Sequence, residues 1–216
     1  MMDDELWQID TPEQLAAYCA RVSNPANQNH HETSNKLMQY LIKHKHWSPL
    51  EMVSACVEVT TTRDIARQLL RHRSFSFQEF SQRYADPTDA LGFVTREARL
   101  QDQKNRQNSI ELDAADEKSD WIQKEWTVLQ EDLIARSKMI YEWAINNGIA
   151  KEQARVVLPE GLTVSKLYVS GTLRSFIHYI EVRSGNGTQK EHMELARAIS
   201  AEIAKIFPSI LKFVQP

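Results

Sequence analysis

Cysteine is scarce in this sequence, and its scarcity limits what the chain can be. Cys19 and Cys56 are the two cysteines among 216 residues, too few for a disulfide framework. They indicate a reducing compartment, so we expect a cytoplasmic protein. No apolar run approaches the roughly 18–20 residues that a membrane span needs. The acidic start, Met1 to Glu5, lacks the positive-then-apolar order of a signal peptide.

An excess of positive charge is also absent. The 26 lysines and arginines against 29 aspartates and glutamates give a formal net charge of -3, which argues against broad electrostatic binding to nucleic acid or an anionic membrane. The seven histidines show no zinc-like spacing with each other or with cysteine, so no metal site is predicted. The length fits one domain, or two small ones at most.

Hydrophobic spacing in the first quarter predicts helices followed by a strand. Thr11 and Pro12 are suited to the N-cap and first turn of a helix, and a second helix is expected over 33–43. Strict alternation of apolar and polar residues over 52–60 predicts a half-buried strand. The buried stripe expected for the second helix is Leu37, Met38, Tyr40 and Leu41. The inward residues expected for the strand are Val53, Ala55, Val57 and Val59.

Helices also dominate the expectation for the second half. Residues 95–120 are polar and nearly featureless, which predicts a long loop or a ragged helix. Helices are expected over 121–147 and 164–182. Thr188 and Glu191 fit a capping box for a last helix. Much helix with a strand of antiparallel habit indicates the α+β class.

The densest chemistry lies in residues 71–84, Arg-His-Arg-Ser-Phe-Ser-Phe-Gln-Glu-Phe-Ser-Gln-Arg-Tyr. Arginine grips phosphate with two hydrogen bonds, and aromatic rings suit flat heterocycles, so the composition indicates a nucleotide. The alternative is a solvated basic helix end followed by a surface strand. If the chain is extended after Ser74, alternate residues share a face, and both faces then mix apolar and polar groups beside Arg71 and Arg73. That arrangement favours a binding site.

Other conspicuous residues are interpreted as structural. Cys56 is expected to be a buried thiol rather than a nucleophile, and Arg99 and Arg106 to be surface charges. Three tryptophans at helical positions are expected in the core or at a subunit interface: Trp121, Trp126 and Trp143.

The cluster resembles the signature of flavin-dependent thymidylate synthases: Arg-His-Arg at 71–73, seven residues, then Ser81. Further segments resemble elements of that family, and the resemblance spans about residues 20–192, weakest over 86–130. These segments are His46-Trp47-Ser48-Pro49-Leu50-Glu51, Ala66-Arg67-Gln68, Gln153-Ala154-Arg155-Val156-Val157-Leu158-Pro159, and Ser170 to His178 with Arg183.

The resemblance implies a fold, an activity and an assembly. It implies one α+β domain over 1–216, with a mostly antiparallel sheet packed with several helices. It implies methylation of dUMP to dTMP, with 5,10-methylenetetrahydrofolate as carbon donor and NADPH-reduced FAD as hydride source. It also implies a homotetramer with active sites at subunit junctions.

Site residues are implied position by position. Arg183 is implied to activate the uracil ring as its N3 proton leaves, and no enzyme nucleophile is implied. FAD is implied to contact His46, Ser48, Arg71, His72, Arg73, Glu79, Thr172, Arg174 and His178. The substrate dUMP is implied to contact Gln68, Arg71, Glu79, Ser81, Gln82, Arg83, Arg155 and Arg183.

Two positions depart from the family pattern, and three other functions compete with the one that the resemblance implies. Thr172 stands where some members have Asn, and Met52 replaces a common histidine. One rival is a non-catalytic RNA-binding module that uses residues 71–84. Another is the folate-only thymidylate synthase, but neither cysteine has the context of its nucleophile. A third is a flavoprotein that has lost dUMP chemistry, against which Ser81 and Arg183 are intact.

Overall fold

The computed structural model describes residues 9–185 and 187–213. Within these ranges the helices are α1 Pro12–Ala20, α2 Ser34–Lys43, α3 Arg63–Leu69, α4 Pro87–Ala90, α5 Glu117–Asn146, α6 Lys151–Ala154, α7 Leu173–Arg183 and α8 Lys190–Ile206. The strands are β1 Ser54–Thr62, β2 Ser76–Glu79, β3 Arg99–Gln101, β4 Ser109–Glu111 and β5 Val164–Thr172. In the part of the chain described, no helix is long and apolar enough to cross a membrane.

Strand β5 is the centre of the main sheet, whose order is β1-β5-β2 with both pairings antiparallel. Val59, Leu167 and Val169 are buried on the inner face, while Cys56 and Tyr168 are exposed on the outer one. The half-buried strand expected over 52–60 is therefore confirmed. Cys56 is not a buried thiol as expected, because it lies on the outer face of an edge strand.

The core lies between the inner face of the sheet and helices α3, α7 and α8. Phe176, Ile177, Ile180, Ala196 and Ile203 are at most 1% exposed. Full burial of one large apolar side chain contributes about 1.5–3 kcal/mol, so this layer holds α7 and α8 against the sheet.

The first two helices form as their sequence signals predict. The side chain of Thr11 accepts from the amide of Gln14, whose side chain accepts from the amide of Thr11, so the two residues close a capping box. In α2 the buried stripe is confirmed at Met38 and Leu41. It is wrong at Tyr40, which is 53% exposed.

Residues 164–172 form a strand, so the helix expected over 164–182 is wrong in its first half. Leu167 and Val169 are buried and β5 pairs with a strand on each side. The two partner strands come from distant segments of the sequence, so local periodicity could not predict this pairing. The helix begins only after Thr172, whose side chain accepts from the amide of Ser175 at 3.3 Å.

The region over 95–120 contains more structure than the loop or ragged helix expected there. Strands β3 and β4 form an antiparallel hairpin, and α5 begins at Glu117, with the side chain of Asp116 accepting from the amide of Ser119. The capping box expected at Thr188 and Glu191 is wrong, because Gln189 is the N-cap of α8 and makes no side-chain cap.

Three tryptophans of α5 do not lie in the core of this chain. Trp121, Trp126 and Trp143 are 62%, 43% and 61% exposed, so the core interpretation is wrong. Their placement at a subunit interface stays a prediction.

Candidate active site

The turn between α3 and β2 presents two arginines of the Arg-His-Arg motif to solvent. The amide of Phe75 donates to the carbonyl of His72 at 3.2 Å, and Phe75 is buried. Arg71 and Arg73 are exposed. Gly171 of β5 makes this packing possible, because a Cβ at that position would lie 2.5 Å from Cδ1 of Phe75.

His72, the middle residue of the motif, points inward and meets Arg183. Nε of Arg183 donates to Nε2 of His72 at 2.9 Å, and the ring of Tyr179 meets His72 edge-on with centroids 4.9 Å apart. Burial, aided by the charges of Arg183 and His178, lowers the pKa of His72 to about 4. His72 is therefore a neutral acceptor near pH 7, and Nε of Arg183, the last residue of α7, bonds to this ring rather than to a helix-end carbonyl.

Arg174 at the other end of α7 has an acidic partner instead. Its Nη1 donates to Oε1 of Glu51 at 2.7 Å. Hydrogen bonds from Thr172 and then Arg174 lower the pKa of Glu51. The two arginines of α7 thus have different partners: Arg174 lies beside a carboxylate and Arg183 beside a neutral ring.

Three further residues expected near FAD lie exposed around this end of α7. His178 is one helical turn beyond Arg174, and the short 3-10 helix that begins at Ser48 packs against α7. His46 lies just before that helix, with its ring 6.1 Å from that of Tyr40. The structure therefore gathers the sequence-predicted flavin residues of the 46–51 and 172–178 segments on one surface.

Glu79 of β2 is held by partners from its own chain. Oγ of Ser165 donates to its Oε1 at 2.8 Å, and the guanidinium groups of Arg63 and Arg67 lie 3.6 and 3.3 Å from its carboxylate. Arg63 and Glu79 are the shielded members, with side chains 13% and 17% exposed. Their ion pair fixes the direction of the Glu79 carboxylate.

The turn after β2 packs against the segment that carries Arg155. Arg83 lies 3.4 Å from the carboxylate of Glu152, and Nζ of Lys151 donates to the carbonyl of Tyr84 at 3.0 Å. Gln82 is 4% exposed, and its Nε2 has no partner among the described residues.

One chain does not bring all the expected site residues together. The amide of Phe80, next to Ser81, donates to the carbonyl of Lys166 at 2.8 Å. Lys166 precedes Thr172 by six positions on the same strand, a separation of about 20 Å at 3.3 Å per residue. The Ser81–Arg83 turn and the Thr172 end therefore lie at opposite ends of the sheet.

A chain of hydrogen bonds connects Gln68 with the β3–β4 hairpin, and sequence reasoning missed it. Oε1 of Gln68 lies 3.1 Å from Nδ1 of His192, and Nε2 of Gln68 donates to Oε1 of Gln189 at 2.8 Å. Nε2 of Gln189 donates to Oε2 of Glu191 at 2.9 Å, and Nη2 of Arg99 donates to Oε1 of Glu191. The only local signal was the acidic residue at the start of α8.

Burial keeps His192 of this network neutral, whereas hydrogen bonds and the charge of Arg99 keep Glu191 ionised. It lowers the pKa of His192, which is 0% exposed, to about 4, with Arg183 and His72 acting in the same direction. Burial alone would raise the pKa of Glu191, but hydrogen bonds from its own amide and Gln189 and the charge of Arg99 give a net lowering. The side chain of Arg99 is 11% exposed, so the expectation of a surface charge is wrong there.

A cleft of about 780 Å³ adjoins this network, between the hairpin, α5 and the start of α8. Arg99, Arg106, Gln189 and Lys190 are among its lining residues. Among residues 9–185 and 187–213, no group of three or more His, Cys, Asp or Glu side chains could hold a metal ion.

Comparison with known proteins identifies the family. Residues 5–209 match the profile of the family described as thymidylate synthase complementing protein. A probable flavin-dependent thymidylate synthase of Paramecium bursaria Chlorella virus 1 is 49% identical over 204 residues, 94% of this chain and 91% of the relative. The chain belongs to the flavin-dependent thymidylate synthase family. A second member, from Synechocystis sp., is 50% identical over 201 residues, 93% of this chain and 88% of that relative.

Solved structures confirm the α+β fold. The crystal structure of the UMP/dUMP methylase PolB from Streptomyces cacaoi with 5-Br UMP has a TM-score of 0.76 and 24% identity, and covers 94% of this chain and 88% of that one. The same protein with 5-Br dUMP has a TM-score of 0.75, with 95% and 91% covered. The expected antiparallel sheet packed with helices is thus a shared architecture.

Proposed function

We propose that this member of the flavin-dependent thymidylate synthase family methylates dUMP to dTMP. FAD is its flavin, 5,10-methylenetetrahydrofolate its carbon donor and NADPH its reductant, in the cytoplasm. The names of the two relatives at about 50% identity support the activity. The observation that carries the proposal is the contact between Arg183 and His72, in which the cation keeps its charge beside a neutral ring.

The surface around the N-terminal end of α7 fits FAD. Arg71, Arg73 and His178 are exposed, and the two arginines are cationic donors that suit a pyrophosphate. When bound, FAD supplies the hydride chemistry, and the protein holds and polarises the reactants. We assign FAD binding to His46, Ser48, Arg71, His72, Arg73, Glu79, Thr172, Arg174 and His178.

The nucleotide is assigned to residues on both sides of β2. Arg83 and Arg155 supply cationic donors for the phosphate, as arginine commonly does. Gln82 has a buried amide donor without a described partner, which supports a ligand contact. We assign dUMP binding to Gln68, Arg71, Glu79, Ser81, Gln82, Arg83, Arg155 and Arg183.

Arg183 is assigned the catalytic role of stabilising the uracil ring as its N3 proton leaves. A permanent positive charge favours the anionic ring and raises electron density at C5. Since His72 accepts from Nε of Arg183, the guanidinium is oriented and its two terminal nitrogens remain for the ring. His72 is neutral near pH 7, so it does not cancel the charge.

The active sites are proposed to form between subunits of a homotetramer, each subunit a single domain over 1–216. The two ends of the sheet that carry expected site residues are about 20 Å apart in one chain. Residues from a neighbouring copy would complete each site. The exposed tryptophans of α5, Trp121, Trp126 and Trp143, are apolar surface suited to such contacts.

One experiment tests the function and the assembly together. Purified protein is passed over a size-exclusion column with light scattering, its visible spectrum is recorded, and it is incubated with dUMP, NADPH, FAD and methylenetetrahydrofolate. We expect a tetramer, flavin absorbance and dTMP formation that stops when dUMP, NADPH or methylenetetrahydrofolate is omitted. A colourless monomer that ignores added FAD would contradict the proposal.

A further inference from the structure

Glu191 sets the direction of every hydrogen bond between the hairpin and Gln68. An ionised carboxylate can only accept, so Gln189 must turn its NH₂ group toward Glu191 and its oxygen toward Gln68. An amide oxygen also only accepts, so Gln68 must present Nε2 to Gln189 and Oε1 to His192. The distances of 2.9, 2.8 and 3.1 Å fit this order.

We propose that Glu191, held by Arg99 of the hairpin, is a positioning residue of the dUMP site that fixes the orientation of the Gln68 amide. Gln68 then offers its second Nε2–H to an acceptor oxygen of the nucleotide. The inference rests on the proposed function, which assigns Gln68 to dUMP. Glu191 itself does not touch the nucleotide in this assignment.

The orienting role is separable from simple attachment of the hairpin. Nζ of Lys190 lies 2.8 Å from the carboxylate of Glu97 and 2.6 Å from that of Glu111, and these ion pairs also fasten the hairpin to α8. Glu97 lies 3.3 Å from Arg99 as well, so Glu97 and Glu191 share a partner. Of the two, Glu191 is the one bonded to Gln189.

The test compares two isosteric changes, Glu191→Gln and Glu97→Gln, in FAD-loaded protein. In Glu191→Gln the amide oxygen faces Arg99, which can only donate, so the new NH₂ group faces Gln189 and favours the reversed orientations of Gln189 and Gln68. Calorimetric titration with dUMP should show a Kd about three- to tenfold higher, the value of one net hydrogen bond. Glu97→Gln should stay within about twofold of wild type, because it removes ion pairs alone.

A double variant that exchanges the side chains at 189 and 191 separates the orientation of the Gln68 amide from the stability of the fold. In Gln189→Glu/Glu191→Gln the carboxylate sits at 189, still accepts from Gln68, and lies at the favourable N-terminus of α8. Affinity for dUMP should therefore return to within about twofold of wild type, although Arg99 has lost its carboxylate at 191. If the single variant does not fold, Gln189→Met, which removes the acceptor for Gln68 and keeps Glu191, should show the same loss.

The outcomes distinguish the inference from the proposed function. Wild type that binds no dUMP contradicts the proposed function. If Glu191→Gln binds dUMP as tightly as wild type does, the orienting role is overturned and the function stays intact. The same conclusion follows if the swap regains none of the lost affinity. Parallel titration with deoxyuridine locates the acceptor: a loss that persists places it on the base or sugar, and a loss that vanishes places it on the phosphate.

Discussion

Replacing Arg183 with alanine separates flavin reduction from nucleotide chemistry. Arg71, Arg73, Arg174 and His178 remain, so FAD should still bind and NADPH should still reduce it. The variant lacks the oriented charge proposed to stabilise the anionic ring, and loss of one such preorganised group costs about 10²–10³ in kcat. Single-turnover flavin reduction and dTMP production should therefore diverge by about two orders of magnitude.

The pKa of His72 is a second quantity that the Arg183→Ala variant should change. Burial is the largest cause of the low pKa of His72 and the charge of Arg183 the next. In Arg183→Ala the pKa of His72, followed by NMR, should therefore rise from about 4 yet stay below the ordinary value of about 6.5. Arg183→Lys keeps the charge without the Nε–H and should lose less dTMP formation than alanine.

A matched control and a clear refutation complete this experiment. Arg197→Ala, at an exposed position of α8, should change neither flavin reduction nor dTMP formation. Parallel, modest losses of both activities in Arg183→Ala would show that Arg183 does not activate uracil. An unchanged pKa of His72 would show that the contact between them does not form in solution.

Two other predictions concern stability. Gly171→Ala should lower the free energy of unfolding in urea by about 1–3 kcal/mol through overpacking. Gly161→Ala is the control, because its Cβ would meet nothing within 4 Å, and it should change that free energy by less than about 0.5 kcal/mol. Equal losses in the two variants would contradict the packing argument. His192 has a pKa of about 4 when folded and about 6.5 unfolded, so its stabilising effect is complete above pH 6.5 and is lost as pH falls toward 4. His192→Asn should reduce the slope of stability against pH in that window by up to about 1.4 kcal/mol per unit, and an unchanged slope would contradict this argument.

Sequence signals predicted the elements whose causes are local. Thr11 and Pro12 fix the start of α1 through a cap, and alternation over 52–60 matches a sheet with one buried face. The spacing from Arg71 to Ser81 led to the family because the whole motif is contiguous. In each case the atoms that decide the structure lie within a few residues of one another.

The elements that sequence reasoning missed depend on distant partners. Strand β5 is stabilised by β1, which lies 110 residues earlier at the central pair Glu58–Tyr168. The apolar residues of β5 alone fit a buried helix as well. The contact of His72 with Arg183 spans 111 positions, and that of Gln68 with His192 spans 124. The sequence named most of these residues, but only the fold shows which of them touch.

The partners of the two arginines of α7 differ in a way that matters for the proposed chemistry. Glu51 is a carboxylate, and its contact with Arg174 offsets that positive charge. His72 can orient Arg183 without offsetting it, because burial against Tyr179 keeps the ring neutral near pH 7. Among the described residues no carboxylate lies within ion-pair distance of Arg183. A carboxylate at position 72 would hold the guanidinium as firmly and yet remove the net charge that an anionic uracil requires, so the neutral acceptor is the arrangement that serves both needs.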